Sequence, residues 1–265
     1  MIHIATVHWH DDRWIEPQRR YVASNIDAPH RIHADHDGHG SHATKLNTLA
    51  ERIAREAEPD DVLIFLDGDA FPIAPLDPFL ELTLSRFPLA AIRRDENLGD
   101  KQPHPSFCAT TVGFWQKIGG DWSRGAWTND LGWEIEDPGG KLLAELTNRR
   151  VEWRPLRRSN RVNLHPVLFG VYDDVVYHHG AGFREAFDRV DRLRAGLVPD
   201  LPAGLSPEPP SGAARLLWKL RAKRWYLAEK RPVVRREQEL MRENRELSER
   251  VFGWIQEDES FWLRV

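Results

Sequence analysis

The most constraining stretch of the sequence is an apolar run, Val62 to Leu66, that ends in the acidic tripeptide Asp67-Gly68-Asp69. A continuous apolar run of this length is typical of a strand that is buried on both faces in a parallel sheet. In open α/β sheets, ligands bind beyond the carboxyl ends of the strands. Alternation along an extended chain places both carboxylates on one side, and Gly68 allows close approach. The sequence therefore predicts a ligand site here, with two oxygen ligands suited to Mg²⁺ or Mn²⁺.

The order of elements before this stretch indicates the fold class. The predicted elements are strand 2–7, helix 12–24, strand 29–34 and helix 43–57, the last with Ser41 as its N-cap. A β-α-β-α-β order favours an α/β fold with a mostly parallel central sheet flanked by helices. The later predicted elements are helices 76–86 and 141–147, strands 88–93, 151–156 and 175–177, and an irregular loop over 121–133. Asp137 and Pro138 predict the N-cap and first position of the helix that includes 141–147.

Composition limits the classes of partner and compartment. The formal net charge of the 265 residues is -4, so the chain lacks the excess of basic residues that is typical of nucleic-acid-binding proteins. We therefore expect no nucleic-acid partner. The single cysteine, Cys108, excludes an internal disulfide framework and fits a reducing compartment. No apolar run reaches the roughly 20 residues that span a bilayer. We therefore expect a cytoplasmic location.

The sequence predicts three parts: an α/β domain over 1–196, a Pro- and Gly-rich linker over 197–213, and a charged helical C-terminal extension over 214–265. The extension has a broken apolar stripe and a basic first half, and Pro232 predicts a kink or a break in it. Two uses stay open for this extension. It is either a partner helix, as in a homo-oligomer, or a peripheral contact with the anionic inner face of a membrane.

Three motifs agree with one family pattern. They are Asp67-Gly68-Asp69 after a third strand, the Gly-rich loop 38–42 that leads into a helix with an early Lys45, and the late run His179-Gly180-Ala181-Gly182. Over about residues 1–190 the chain resembles the GT-A-fold, metal-dependent glycosyltransferases that use nucleotide sugars. The resemblance implies a GT-A (Rossmann-like) fold, Mn²⁺ or Mg²⁺ as cofactor, a UDP- or GDP-sugar donor, and a carbohydrate or other hydroxyl acceptor. It also implies that Asp67, Asp69 and His179 bind the metal, with His179 preferred over His178.

The resemblance implies roles for further residues. Asp67 would share the metal or hold the nucleotide ribose, and Lys45, His8 and Arg93 would contact the nucleotide-sugar donor. An inverting transfer needs a general base for the acceptor hydroxyl. The two candidates for that base are Asp130 and Asp137, and the sequence ranks them equally.

Other functions share parts of this pattern. A haloacid-dehalogenase-like phosphatase also carries Asp-x-Asp after an apolar strand, with a late acidic pair that Asp173-Asp174 could supply. That family pattern asks for Thr or Val where Phe71 stands. A nucleotidyltransferase usually has a Gly-rich basic loop after the first strand, and this chain has His8-Trp9-His10-Asp11 there. The alternative that is not an enzyme is a non-catalytic scaffold, which recruits partners through its C-terminal helices.

Overall fold

The computed structural model describes residues 1–8, 11–37, 39–97, 99–128, 132, 134–162, 168–183, 197, 211–212 and 214–265. Internal contacts divide the chain into two compact units. The first unit comprises Met1–Gly180 and Gly253–Val265, and the second comprises Ala181–Phe252. Most of the predicted linker 197–213 lies outside the described residues, and the predicted three-part division stays a prediction.

The described residues of the first unit form strands and helices in alternation. The strands are β1 (Ile2–Val7), β2 (His30–Asp35), β3 (Val62–Asp67), β4 (Ala70–Pro72), β5 (Leu89–Ile92), β6 (His104–Thr111), β7 (Arg124–Thr128), β8 (Glu134–Pro138), β9 (Arg154–Leu156), β10 (Leu168–Tyr172) and β11 (Val176–Gly180). The helices are α1 (Ile15–Asn25), α2 (His42–Glu56), α3 (Leu76–Leu84), α4 (Val112–Ile118) and α5 (Gly140–Asn148).

The main sheet is mostly parallel. Its described strands follow the order β2-β1-β3-β6-β5-β9. β1 is parallel to β2 and β3, and β5 is parallel to β9, whereas β6 is antiparallel to both of its neighbours. All of these strands except β6 therefore run in one direction. With helices on both faces and the helical C-terminal extension, this confirms the predicted fold class.

Strand β3 is the centre of the hydrophobic core because its two faces enter different layers. Leu63 and Phe65 pack in a cluster that includes residues of α2 and α4. Ile64 and Leu66 pack in a second cluster that includes residues of α1 and α3. All four of these side chains are fully buried. The apolar run thus has its predicted place, and the chain becomes acidic where the strand leaves the core.

Smaller sheets complete the first unit, and one of them corrects a prediction. β10, β11 and β4 form an antiparallel sheet. β7 lies inside the region 121–133 that was predicted as an irregular loop, and it pairs with β8, which follows that region. Asp137 lies opposite Gly125 in that ladder, so it does not cap a helix. α5 is instead preceded by Gly139, which has a φ of 88° and where a Cβ would lie 2.2 Å from the Pro103 carbonyl oxygen. Only glycine fits this position.

The last residues of the chain belong to the first unit. Phe261 is fully buried and contacts the rings of Tyr21, Phe71 and Tyr177, with centroid distances between 4.9 and 6.2 Å. The Tyr21 hydroxyl also donates to the Ile255 carbonyl oxygen at 3.1 Å. This segment therefore packs on α1 and on the sheet that contains β4 and β11.

Most of the described residues of the second unit are helical. α6 (Ala214–Trp225) continues through a π-helical turn (Tyr226–Lys230) into α7 (Arg231–Glu257). Pro232 has no N–H, and its ring crowds the carbonyl four residues earlier. The wider π-helical turn directly before it absorbs that conflict, so the predicted break appears as a change of helix type. Among the described residues, no helix combines the length and the apolar character needed to cross a membrane.

A buried histidine pair at the sheet edge predicts a pH-dependent stability. His33 Nε2 lies 3.1 Å from His3 Nδ1. Burial, and then the charge on His3, lower the pKa of His33 from 6.5 to about 4. Between these pH values the unfolded chain binds the proton that the folded chain excludes, so stability falls as the pH falls through this window. We predict that His33→Gln, which keeps an acceptor for His3, flattens the pH dependence of the urea midpoint between pH 6.5 and 4. If the urea midpoint of His33→Gln kept the same pH dependence, His33 would not be its cause.

Candidate metal centre

The acidic tripeptide lies between the two larger sheets. Asp67 ends β3 and β4 begins at Ala70, so Gly68 and Asp69 form the turn that joins the two strands. The Gly68 N–H donates to the Val7 carbonyl oxygen at 3.0 Å. A Cβ at this position would lie 2.7 Å from that oxygen and 2.8 Å from His8 Nδ1. The close approach to the end of β1 therefore requires glycine and fixes the turn.

Strand β11 brings a pair of histidines to this turn. It is antiparallel to β4, and His178 lies opposite Ala70. The His179 N–H donates to the Asp69 carbonyl oxygen at 3.1 Å, and the Gly180 N–H donates to Asp69 Oδ2 at 3.0 Å. Asp69 is thus held by its backbone and by one carboxylate oxygen, and its other oxygen, Oδ1, faces His178 Nε2 at 3.4 Å.

Asp67, Asp69 and His178 form a cluster of metal-ligating type. His178 Nε2 lies 3.4 Å from Asp69 Oδ1 and 3.6 Å from Asp67 Oδ2. One ligand atom from each residue lies within 4.8 Å of the others. Neighbouring ligands of an octahedral ion, at bond lengths near 2.1 Å, lie about 3 Å apart. The spacing therefore fits a divalent ion, and two carboxylates with one imidazole favour Mn²⁺ over Mg²⁺.

His42 is a further group that contacts the cluster. It is the first residue of α2, directly after Ser41, whose hydroxyl accepts from the Thr44 N–H at 3.1 Å as the predicted N-cap. His42 Nε2 lies 3.1 Å from Asp67 Oδ1. Burial alone lowers the pKa of His42, but the carboxylates of Asp67 and Asp69 outweigh burial and raise it. His42 therefore orients Asp67 from the side away from His178.

Asp69 is ionised in the folded protein. Burial alone raises the pKa of its carboxyl group, but the charge and hydrogen bond of His178 outweigh burial, and the result is a pKa below the ordinary value. A carboxylate that is already charged requires no deprotonation before it binds a cation. A bound cation would take over the role of the positive charge of His178 beside Asp69, because a metal-ligating imidazole is neutral.

The structure brings His178, and not the predicted ligand His179, to the two aspartates. Neighbouring residues of a strand point to opposite faces, and His178 is the one whose ring faces the aspartates. His179 lies among Trp14, Phe169 and Tyr177, and its Nδ1 is 2.9 Å from the Tyr177 hydroxyl. Burial above all lowers the pKa of His179 to about 3. His179 is therefore a neutral core residue, and His178 takes its place in the cluster.

The three predicted donor contacts lie in different surroundings. The Lys45 ammonium is buried and lies 2.6 Å from Asp35 Oδ1. Arg93 Nε lies 2.6 Å from Asp95 Oδ1. His8 is buried beside Gly68 and stacks on His36 with a ring distance of 5.1 Å. Of the three, the structure brings His8 against the turn that carries the aspartates, and the donor roles stay predictions.

The two candidate bases have different outcomes. Asp130 lies outside the described residues. Asp137 Oδ2 lies 3.0 Å from Arg94, which also pairs with Asp100 at 2.9 Å. Burial raises the pKa of Asp137, Arg94 opposes this and Asp100 adds to it, and the net effect is a pKa above the ordinary value. A raised pKa strengthens Asp137 as a base, and its role in catalysis stays a prediction.

Sequence reasoning missed three features of this region. The family pattern favours His179 over His178, it places His42 only in a loop, and it does not predict the Arg94–Asp100 pair beside Asp137. His104 also lies close, with its ring centroid 5.9 Å from that of His178. The one available signal was the N-cap at Ser41, which places His42 at the start of a helix that points toward the end of β3.

Comparison with known proteins gives no family for this chain. No family model and no curated protein matches it. Solved structures do match, among them one titled "Crystal Structure of A197 from STIV". That match has a TM-score of 0.41 and 12% identity, and it covers 68% of this chain and 94% of the other. A similarity at this level carries no information about what the chain binds.

The two adjacent histidines provide a matched pair of variants. We predict that His178→Ala weakens Mn²⁺ binding by about 100-fold, because one of three protein ligands is lost while the β4–β11 pairing remains. His179→Ala should keep the Mn²⁺ affinity within about threefold and instead lower the urea midpoint, because it empties a buried aromatic pocket. Calorimetric titration with Mn²⁺ and urea unfolding measure the two effects. A loss of Mn²⁺ affinity in His179→Ala but not in His178→Ala would contradict the cluster described above.

Proposed function

We propose that this chain is a metal-dependent glycosyltransferase, which moves a sugar from a nucleoside diphosphate donor to an acceptor hydroxyl. The observation that carries the proposal is the convergence of Asp67, Asp69 and His178 at the carboxyl end of β3. β1, β2 and β3 run parallel and end on this same side of the sheet. Ligands of open α/β sheets bind beyond such strand ends.

The donor set of the cluster suits a diphosphate ligand. Asp67, Asp69 and His178 would hold Mn²⁺, and His42 would fix the orientation of Asp67. The bound ion would supply positive charge to the two phosphates, which become more negative as the sugar departs. A protein site that holds the cation by one side leaves its other positions to phosphate oxygens, as sites for nucleotide ligands commonly do.

The transfer itself requires three events at the sugar. The acceptor oxygen forms a bond to the anomeric carbon, the bond from that carbon to the phosphate oxygen breaks, and the hydroxyl proton moves to a base. Asp137 and Asp130 are the carboxylates we propose for that base. The raised pKa of Asp137 favours proton uptake near neutral pH more than an ordinary aspartate would. The electrons of the broken bond remain on the nucleoside diphosphate.

The phosphatase alternative has less support from the geometry. Its late acidic pair would be Asp173 and Asp174, and these residues lie in the turn between β10 and β11. Asp173 Oδ2 lies 2.6 Å from Arg154, and Asp174 Oδ1 accepts from the Ser159 hydroxyl at 2.8 Å. Both carboxylates thus contact residues outside the turn, Arg154 and Ser159, whereas His178 faces the Asp67-Gly68-Asp69 turn.

The test is a transfer assay with a panel of UDP- and GDP-sugars, with and without Mn²⁺. We predict Mn²⁺-dependent release of nucleoside diphosphate, and a loss of about 100-fold or more in kcat/KM for Asp69→Asn, because a neutral amide holds the cation poorly. Asp60→Asn is the matched control, since Asp60 is exposed and precedes β3 at the opposite end of the strand. It should retain full activity.

Two results would contradict the proposal. The first is hydrolysis of p-nitrophenyl phosphate that depends on Asp67 in the absence of any nucleotide binding, which would indicate the phosphatase. The second is the absence of nucleotide binding with Mn²⁺ by a folded protein, which would favour the scaffold.

A further inference from the structure

A strongly basic helical segment covers residues 214–236 of the second unit. It comprises α6, the π-helical turn and the first residues of α7. The segment contains nine Lys or Arg residues and one Glu, in a chain whose net charge is -4. From 237 to 257 the same helix carries three Arg and six Glu residues. The positive charge is therefore confined to the basic helical segment.

The basic helical segment also exposes large apolar side chains. Leu216, Leu220 and Leu227 follow a helical spacing of four and seven, which places them on one side. They are 67%, 58% and 48% exposed, respectively. Trp218 and Trp225, spaced by seven on the opposite side, are half-buried. The leucines thus form an exposed stripe on the face away from the tryptophans.

Cationic side chains border this leucine stripe. Helical geometry places Lys219 and Lys223 along one border and Arg224 along the other. All three are exposed, and no residue of α6 is buried. Long basic side chains can lay their methylene stems along an apolar surface and keep their charges at its polar boundary. This arrangement matches the boundary between lipid headgroups and acyl chains.

We propose that the leucine stripe of the basic helical segment docks on an anionic lipid bilayer. Leu216, Leu220 and Leu227 would enter the boundary of the acyl chains, and the flanking Lys and Arg residues would face anionic headgroups. A helix that lies in the membrane surface has this combination of apolar face and cationic border. Clusters of four to eight basic residues on such a helix are typical of recognition of anionic lipids.

Charge argues against a second copy of the segment as the occupant. Packing two leucine stripes together would bring two sets of cationic borders into contact, with Glu229 as the one acidic residue of each segment. Like charges at close range are repulsive, and only salt weakens this. An anionic bilayer instead has negatively charged headgroups that attract the basic residues and acyl chains beneath them that accept the leucines.

The docking surface is independent of the proposed glycosyl transfer. It uses no residue of the Asp67, Asp69 and His178 cluster, so loss of one activity leaves the other measurable. A protein that transfers sugars without binding vesicles would overturn only this inference. A protein that binds vesicles without transferring sugars would overturn only the proposed function.

The experiment is flotation of the full chain with phosphatidylcholine vesicles that contain either no or about 30% phosphatidylglycerol. We expect partition onto the anionic vesicles that falls steeply between about 0.1 M and about 1 M NaCl, because salt screens the attraction. Lys219→Gln/Lys223→Gln/Arg224→Gln should reduce partition by about 100-fold. Leu216→Ser/Leu220→Ser should also abolish stable binding, since these exposed side chains supply the apolar contact.

The matched control removes the same number of exposed positive charges elsewhere. Arg19→Gln/Arg31→Gln/Arg242→Gln lies outside the basic helical segment and should change partition by less than about threefold. Circular dichroism checks that each variant keeps its helices. Equal binding to neutral and anionic vesicles would overturn the inference, as would equal loss in the control. Concentration-dependent dimers that the leucine variant abolishes, without vesicle binding, would identify a second copy as the occupant instead.

Discussion

The arrangement of the whole first unit depends on burying strand β3 on both of its faces. Leu63 and Phe65 enter one layer of the core while Ile64 and Leu66 enter the other, which fixes the register of the strand. A strand held in this way delivers its last residue, Asp67, to a defined point at the edge of the sheet. The acidic turn is thus positioned by hydrophobic packing, and its chemistry follows from that position.

Charge is the second constraint, because two carboxylates close together require compensation. In this protein, His178 and His42 contact the carboxylates of Asp69 and Asp67, and the Gly180 N–H binds one oxygen of Asp69. These contacts come from two segments, β11 and the start of α2, so the turn joins both of them to the end of β3. A bound cation would strengthen the same arrangement, since it adds positive charge where the fold has gathered negative charge.

Sequence patterns predicted the parts of this fold that depend on local physics. The buried strand, the Ser41 N-cap and the β-α-β-α-β order each follow from residue type and period. The sequence could not predict which of His178 and His179 faces the aspartates. The residues before them, Val175, Val176 and Tyr177, are all apolar and show no alternation that would assign a face. The prediction that Asp137 is an N-cap failed for a related reason. Asp-Pro before a helix is a local pattern typical of an N-cap, whereas the pairing of Asp137 with β7 is a long-range contact that a local pattern does not contain.

The most direct measurement is the anomalous difference density of Mn²⁺ in a crystal of the full chain grown with MnCl₂. We predict one strong peak within about 2.0–2.3 Å of a carboxylate oxygen of Asp67, a carboxylate oxygen of Asp69 and Nε2 of His178. His42 Nε2 should remain in contact with the other oxygen of Asp67. A crystal without a peak between these three side chains, or with the ion bound by His179, would contradict the account.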